Sequence, residues 1–161
     1  ETTLGSALFG FLGFPGALSR ESTKGDEVLT HTGLQYTTYA YGGETPALAQ
    51  FDPDMHILMS GDLSETTDQD GLSVQFVNRD GFRLRFPDDL GGISGSGVWS
   101  LGDLTTPPST WSKSRSRLVA VQTGVVGSRN LIRATCWNEV TKVIQTAFPD
   151  LRTPLDLQLF R

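Results

Sequence analysis

A chain of 161 residues, 37% of them apolar and 18 of them glycine, has enough material for one domain with its own core and too little for two. Its net charge of −5 excludes the clustered basic surface that nucleic acid or an anionic membrane requires. One cysteine, Cys136, excludes an internal disulfide, and with only His31 and His56 a zinc site would have to lean on carboxylates, so no structural metal is expected.

In chain order the pattern is mostly that of strands. ALFGFLGF (7–14) is a short apolar run stopped by Pro15-Gly16. The longer stretch LGSALFGFLGF (4–14) is still too short and too rich in glycine to span a membrane or to serve as a signal peptide. GLQYTTYAY (33–41), rich in Tyr and Thr, ends at Gly42-Gly43, and MHILM (55–59) follows the turn Asp52-Pro53-Asp54. LSVQFV (72–77) and FRLRF (82–86) alternate at a strand's period of two around the hairpin signal Asn78-Arg79-Asp80-Gly81.

After the stretch GGISGSG (91–97) comes the strand GVWSL (97–101), then a polar segment, 102–117, whose two prolines and repeated Ser and Thr read as a surface loop. Its Lys113, Arg115 and Arg117 read as a solvated loop face rather than a binding site. RLVAVQTGVV (117–126) is the strongest strand pattern, and NLIRAT (130–135) is another. Thr135 then suits an N-cap for a helix over 136–148, with Trp137, Val140, Ile144, Ala147 and Phe148 on one face and Pro149 as its stop. Many short strands and a lone C-terminal helix predict an all-β fold, an antiparallel β-barrel in one domain spanning 1–161.

Four glycines and two serines in 91–97 raise a chemical question. A nucleophilic serine must present its hydroxyl while backbone N–H groups face the oxygen that becomes negative, and small residues on both sides allow this. Gly92-Ile93-Ser94-Gly95 has that form, although a plain Gly-Ser hairpin loop would use the same residues. Gly-x-Ser-x-Gly, the turn of the α/β-hydrolases, fails at Ser96, and no Gly-Lys-Ser/Thr phosphate loop is present.

GISGSGVW (92–99) resembles the nucleophile turn of the trypsin-like serine peptidases, Gly-x-Ser-Gly-x-Pro/Gly before an apolar strand. FGFLGFP (9–15) looks like the strand that opens the family's second barrel, and LVAVQTG (118–124) looks like the strand beside the substrate backbone. IRAT and the following helix, 132–148, look like the closing elements. FDPDMHIL before PDDLGGISGSGVW is similar to a bacterial group of largely unassigned substrate.

The resemblance implies a barrel of the trypsin-like type, the second of two. Ser94 would be its nucleophile, with the N–H groups of Gly92 and Ser94 as the oxyanion hole and no cofactor. Gln122, Thr123 and Gly124 would line the substrate backbone, and Asp88, six residues before Ser94, would hold a basic substrate side chain, although an exposed acidic turn fits Asp88 as well. Ile93 replaces the acid that pairs with a new N-terminus in the digestive enzymes, so no such ion pair switches the hole.

In the family the triad aspartate precedes the serine by roughly ninety residues and the histidine lies further back, which puts both before Glu1. That spacing, with Glu1 in place of a starting methionine, implies a C-terminal half cut from a longer protein. His56, inside a strand pattern, reads as a packed residue, and His31 has less to recommend it. The expected partners are a peptide or protein substrate and an N-terminal barrel from the same or another chain. A lone half would expose an apolar face and self-associate as a homodimer. The rival expectation is a non-catalytic peptide- or protein-binding half-barrel. Compartment stays open, since one free thiol fits the bacterial cytoplasm or export.

Overall fold

A computed structural model describes residues 7–14, 19–22, 28–31, 34–44, 51–61, 75–77, 83–85, 90–103, 105, 107–126 and 130–151. Among the described residues ten strands precede one α-helix: β1 (Ala7–Gly13), β2 (Ser19–Ser22), β3 (Val28–His31), β4 (Leu34–Tyr39), β5 (His56–Ser60), β6 (Gln75–Val77), β7 (Arg83–Arg85), β8 (Gly97–Asp103), β9 (Arg117–Val126), β10 (Leu131–Cys136) and α1 (Trp137–Ala147).

Six of the strands form one antiparallel sheet in the order β4-β1-β8-β9-β10-β5, curled into a half-barrel. Its edges come together beyond β4, where Ala40 bridges Met59 and Tyr41 donates its N–H to Leu58 O at 2.9 Å. Thr38 adds a side-chain bond there, its Oγ1 donating to Ser60 O at 2.7 Å. Joined edges leave fewer backbone groups for stray pairing.

The inner wall follows from the alternation along each strand. Phe9 and Phe11 of β1, Tyr36 of β4, Met59 of β5, Val98 of β8, Ala120 of β9, and Ile132 and Ala134 of β10 form one buried cluster. Leu90 and Ile93 belong to it too, although they lie outside any strand. On the outer wall Leu12, Tyr39 and Trp99 are 59%, 45% and 45% exposed.

Several elements differ from expectation. The described residues of LSVQFV and FRLRF, β6 and β7, pair in a two-stranded sheet of their own, the remaining residues of both lying outside the described ones, and β2 with β3 makes another that the pattern does not announce. The turn 78–81 lies outside the described residues. β8 runs on to Asp103, and the segment expected as loop holds two short 3-10 turns, Pro108–Thr110 and Lys113–Arg115.

The helix starts one residue later than expected. Thr135 stays in β10, paired with Val121 and His56, and Cys136 is the N-cap with its N–H on Met55 O at 2.8 Å. Sheet pairing therefore outcompetes the capping preference of Thr135. Trp137, Val140 and Ile144 are partly buried, but Ala147 is exposed and Phe148, the C-cap, is 60% exposed. No helix among the described residues is long and apolar enough to cross a membrane.

Candidate functional site

The segment 90–97 is a double turn fastened to the core at two points. Leu90 and Ile93 are 2% and 1% exposed, and burying such side chains contributes about 1.5–3 kcal/mol each. Between and after them stand Gly92 and Gly95 with φ of 93° and 94°, backbone that an L side chain rarely adopts. Alternation of apolar anchors with such glycines pushes Ser94 outward, and it is exposed.

Hydrogen bonds lock the turn internally and to β9. Ile93 N–H reaches Leu90 O at 3.3 Å, while Ser96 donates to Ile93 O through both its N–H, at 3.1 Å, and its Oγ, at 2.6 Å. Gly95 N–H donates to Gln122 O at 2.8 Å, and Gln122 N–H donates back to Ser96 O at 2.9 Å. β1 closes over the other side at Gly13, where a Cβ would lie 2.7 Å from Ser96 Oγ and 2.9 Å from Ile93 Cβ.

Within this frame the N–H groups of Gly92 and Ser94 and the Ser94 hydroxyl have no hydrogen-bond partner among the described residues. Backbone donors left unused in the turn that carries an exposed hydroxyl are the kind of group that an anionic oxygen accepts from.

Gln122, Thr123 and Gly124 divide into separate roles. Gln122 is fully buried, with both backbone groups committed to the turn and its Nε2 donating to Gly124 O at 3.0 Å. Its Oε1 is buried without a hydrogen-bond partner. Thr123 is exposed, its Oγ1 3.2 Å from Thr135 Oγ1, and it occupies the irregular step where Arg133 pairs with Gly124 and Ala134 with Gln122. Among the described residues, 124–126 pair with β10 alone, and a strand edge without a second neighbour is one that an extended chain can join.

His56 serves elsewhere. Its Nδ1 lies 3.1 Å from both Asp52 N and Asp52 O, its ring meets Phe51 with centroids 5.8 Å apart, and Asp54 N–H caps Asp52 Oδ1 at 2.9 Å. From the turn, the row Gly95, Gln122, Ala134, Ile57 crosses three strand spacings, roughly 14 Å along the sheet, before reaching the neighbour of His56. His31 lies on β3 with its side chain outside the described residues, as does all of Asp88.

Cys136, at the start of α1, is half-buried, and burial followed by the nearby Glu139 charge raises its thiol pKa above the ordinary 9.0 against a smaller opposing backbone hydrogen bond. It is no activated nucleophile. No cluster of three or more metal-ligating side chains occurs among the described residues.

Sequence reasoning located the turn that carries Ser94 from its small residues but missed Gly13, which closes against that turn from β1, and Arg133, which lies against Gly124 from β10. The glycine ending an apolar run was a usable signal for Gly13; Arg133 carried none. Comparison with known proteins finds no matching family model, curated protein or solved structure.

Proposed function

We propose that this chain is the nucleophile-bearing barrel of a serine peptidase of the trypsin-like type, with Ser94 as the acylated residue. The observation that carries the reading is an exposed Ser94 hydroxyl on the same turn as the unused N–H groups of Gly92 and Ser94, a turn held by Leu90, Ile93, Gln122 and Gly13. The six-stranded antiparallel half-barrel with its C-terminal helix is compatible with that architecture.

In this mechanism Ser94 Oγ attacks the scissile carbonyl carbon and gives its proton to a histidine supplied from outside this chain. The carbonyl oxygen becomes anionic and accepts from Gly92 and Ser94 N–H. Collapse breaks the C–N bond, the histidine passes the proton to the leaving amine, and water then releases the acyl group from Ser94. The strand β9 at Thr123 and Gly124 would hold the substrate main chain. No cofactor takes part.

A fluorophosphonate probe tests this in the chain, in Ser94→Ala and in a form extended upstream. Labelling of the extended form that Ser94→Ala abolishes is the expected result. Labelling that survives Ser94→Ala, or that appears in no form, overturns it. One observation favours a second reading, a non-catalytic peptide-binding half-barrel: among the described residues 124–126 of β9 pair on one side only, while His56, the histidine whose side chain is described, is tied to Asp52.

A further inference from the structure

Three cations stand together on a braced loop. Lys113 and Arg115 belong to the 3-10 turn Lys113–Arg115, and Arg117 opens β9. All three are exposed, and none of their side chains has a hydrogen bond or an ion pair among the described residues. The loop beneath them is fixed: Arg115 N–H donates to Ser112 O at 2.9 Å and Ser116 N–H to Lys113 O at 3.1 Å, while Trp111, itself exposed, donates Nε1 to Leu101 O at 2.9 Å. A loop held in this way keeps its like charges close instead of letting them spread, in a chain whose net charge is −5.

The counterpart lies across the barrel. Asp52 O accepts from Met55 N–H at 3.1 Å and from His56 N–H at 2.9 Å, which seats the turn with Asp52 and Asp54 at the start of β5. Tyr41 N–H on Leu58 O carries the chain past the end of β4 to Glu44, toward the same corner. Glu44, Asp52 and Asp54 are exposed and unpaired with any cation among the described residues, and Tyr41 and Met55 are exposed beside them. Two other acids at this end are already engaged: Asp103 accepts from Thr105, and Glu139 pairs with Lys142 at 2.6 Å.

Strand order sets the two groups opposite each other. In the ring β4-β1-β8-β9-β10-β5, closed where Ala40 bridges Met59, one rim collects the ends of β4, β8 and β10 and the starts of β1, β9 and β5. The cations sit where β8 meets β9 and the carboxylates where β5 meets β4, three strands apart by either route. A two-fold axis in the plane of that rim, at right angles to the line joining the groups, turns a second copy over and lays its carboxylates on the cations of the first, and its cations on the carboxylates. The same rotation brings Trp111 of each copy toward Tyr41 and Met55 of the other, an aromatic and thioether contact of the kind that anchors interfaces.

We infer that this chain forms a two-fold dimer rim to rim, with Lys113, Arg115 and Arg117 of each copy meeting Glu44, Asp52 and Asp54 of the other. The contact is distinct from the apolar outer wall of Leu12, Tyr39 and Trp99, and it does not depend on the peptidase reading. The Ser94 turn precedes β8, which reaches the rim at Asp103, so both turns lie at the outer ends of the dimer and stay accessible.

The test is sedimentation equilibrium of the whole chain carrying Leu12→Glu, which weakens association through the outer wall. At about 0.02 M salt it should be a dimer, and at about 0.5 M salt the dimer should be weaker by at least about tenfold, because screening shortens the reach of exposed charges. Added to Leu12→Glu, a basic-reversed form, Lys113→Glu with Arg115→Glu, and an acid-reversed form, Glu44→Lys with Asp54→Lys, should each be monomeric alone. Their equimolar mixture should dimerise, because each then offers the charge that the other lacks. Asp52 is kept in both, since its Oδ1 accepts from Asp54 N–H and shapes the turn.

Thermal unfolding identifies any form that fails to fold, and the salt dependence of the parent form decides the matter if one does. Dimerisation of the mixture and of neither form alone is the expected result. A monomer at low salt, a dimer insensitive to salt, a dimer that survives either reversal in a folded form, a mixture that stays monomeric, or growth into larger oligomers overturns the inference.

Discussion

Gly13 and Ser96 approach so closely that a Cβ on Gly13 would lie 2.7 Å from Ser96 Oγ, with Ile93 Cβ and Cγ2 each at 2.9 Å. The hydroxyl can rotate away, but Ile93 Cβ is fixed to the backbone of the turn and 1% exposed. Gly13→Ala should therefore push the turn outward and destabilise the fold by about 1–3 kcal/mol, read as a lower urea midpoint at unchanged slope. A wild-type midpoint would show that β1 does not brace the turn.

Gly95 and Gly102 form a matched pair. Both have φ in the left-handed region, 94° and 112°, and an added Cβ meets nothing within 4 Å at either. Alanine at each should cost similar backbone strain, about 1–2 kcal/mol. Only Gly95→Ala should also slow fluorophosphonate labelling of Ser94 in the extended form. Equal effects on labelling would mean that the turn's backbone conformation has no special bearing on Ser94.

Cys136 gives a pH-dependent outcome. Its folded-state pKa is raised, so the folded protein holds the thiol proton more tightly than the unfolded chain does. The associated stability is complete below the unfolded thiol's pKa and is lost as pH rises through the folded one, placing the loss in the alkaline range. Disulfide-exchange reagents should modify Cys136 more slowly than an unhindered thiol at pH 8, and Glu139→Gln should speed the reaction by removing the charge that adds to burial in raising its pKa. A rate equal to that of a free thiol would contradict the burial-driven shift.

Leu12, Tyr39 and Trp99 share the outer wall, because Gly10 pairs with Trp99, Leu8 pairs with Tyr39, and Leu12 follows Gly10 by one strand period. Apolar exposure spread over one wall in this way predicts concentration-dependent self-association of the isolated chain. Sedimentation velocity should show a dimer that Leu12→Glu shifts toward monomer. A monomer at all concentrations would remove this face as a contact between copies.

The residues themselves determined what depends on near neighbours along the chain. Alternation across 117–126 places β9 at those bounds, and the glycines of 91–97 announce a turn that only residues tolerating positive φ can make. The tertiary structure alone decided what depends on distant partners. Whether Thr135 caps a helix or pairs with Val121, whether His56 serves Ser94 or Asp52, and whether Arg133 covers Gly124 are set by strand register. Side-chain pattern is local, whereas register depends on packing and backbone pairing between segments tens of residues apart, so no single stretch carries it.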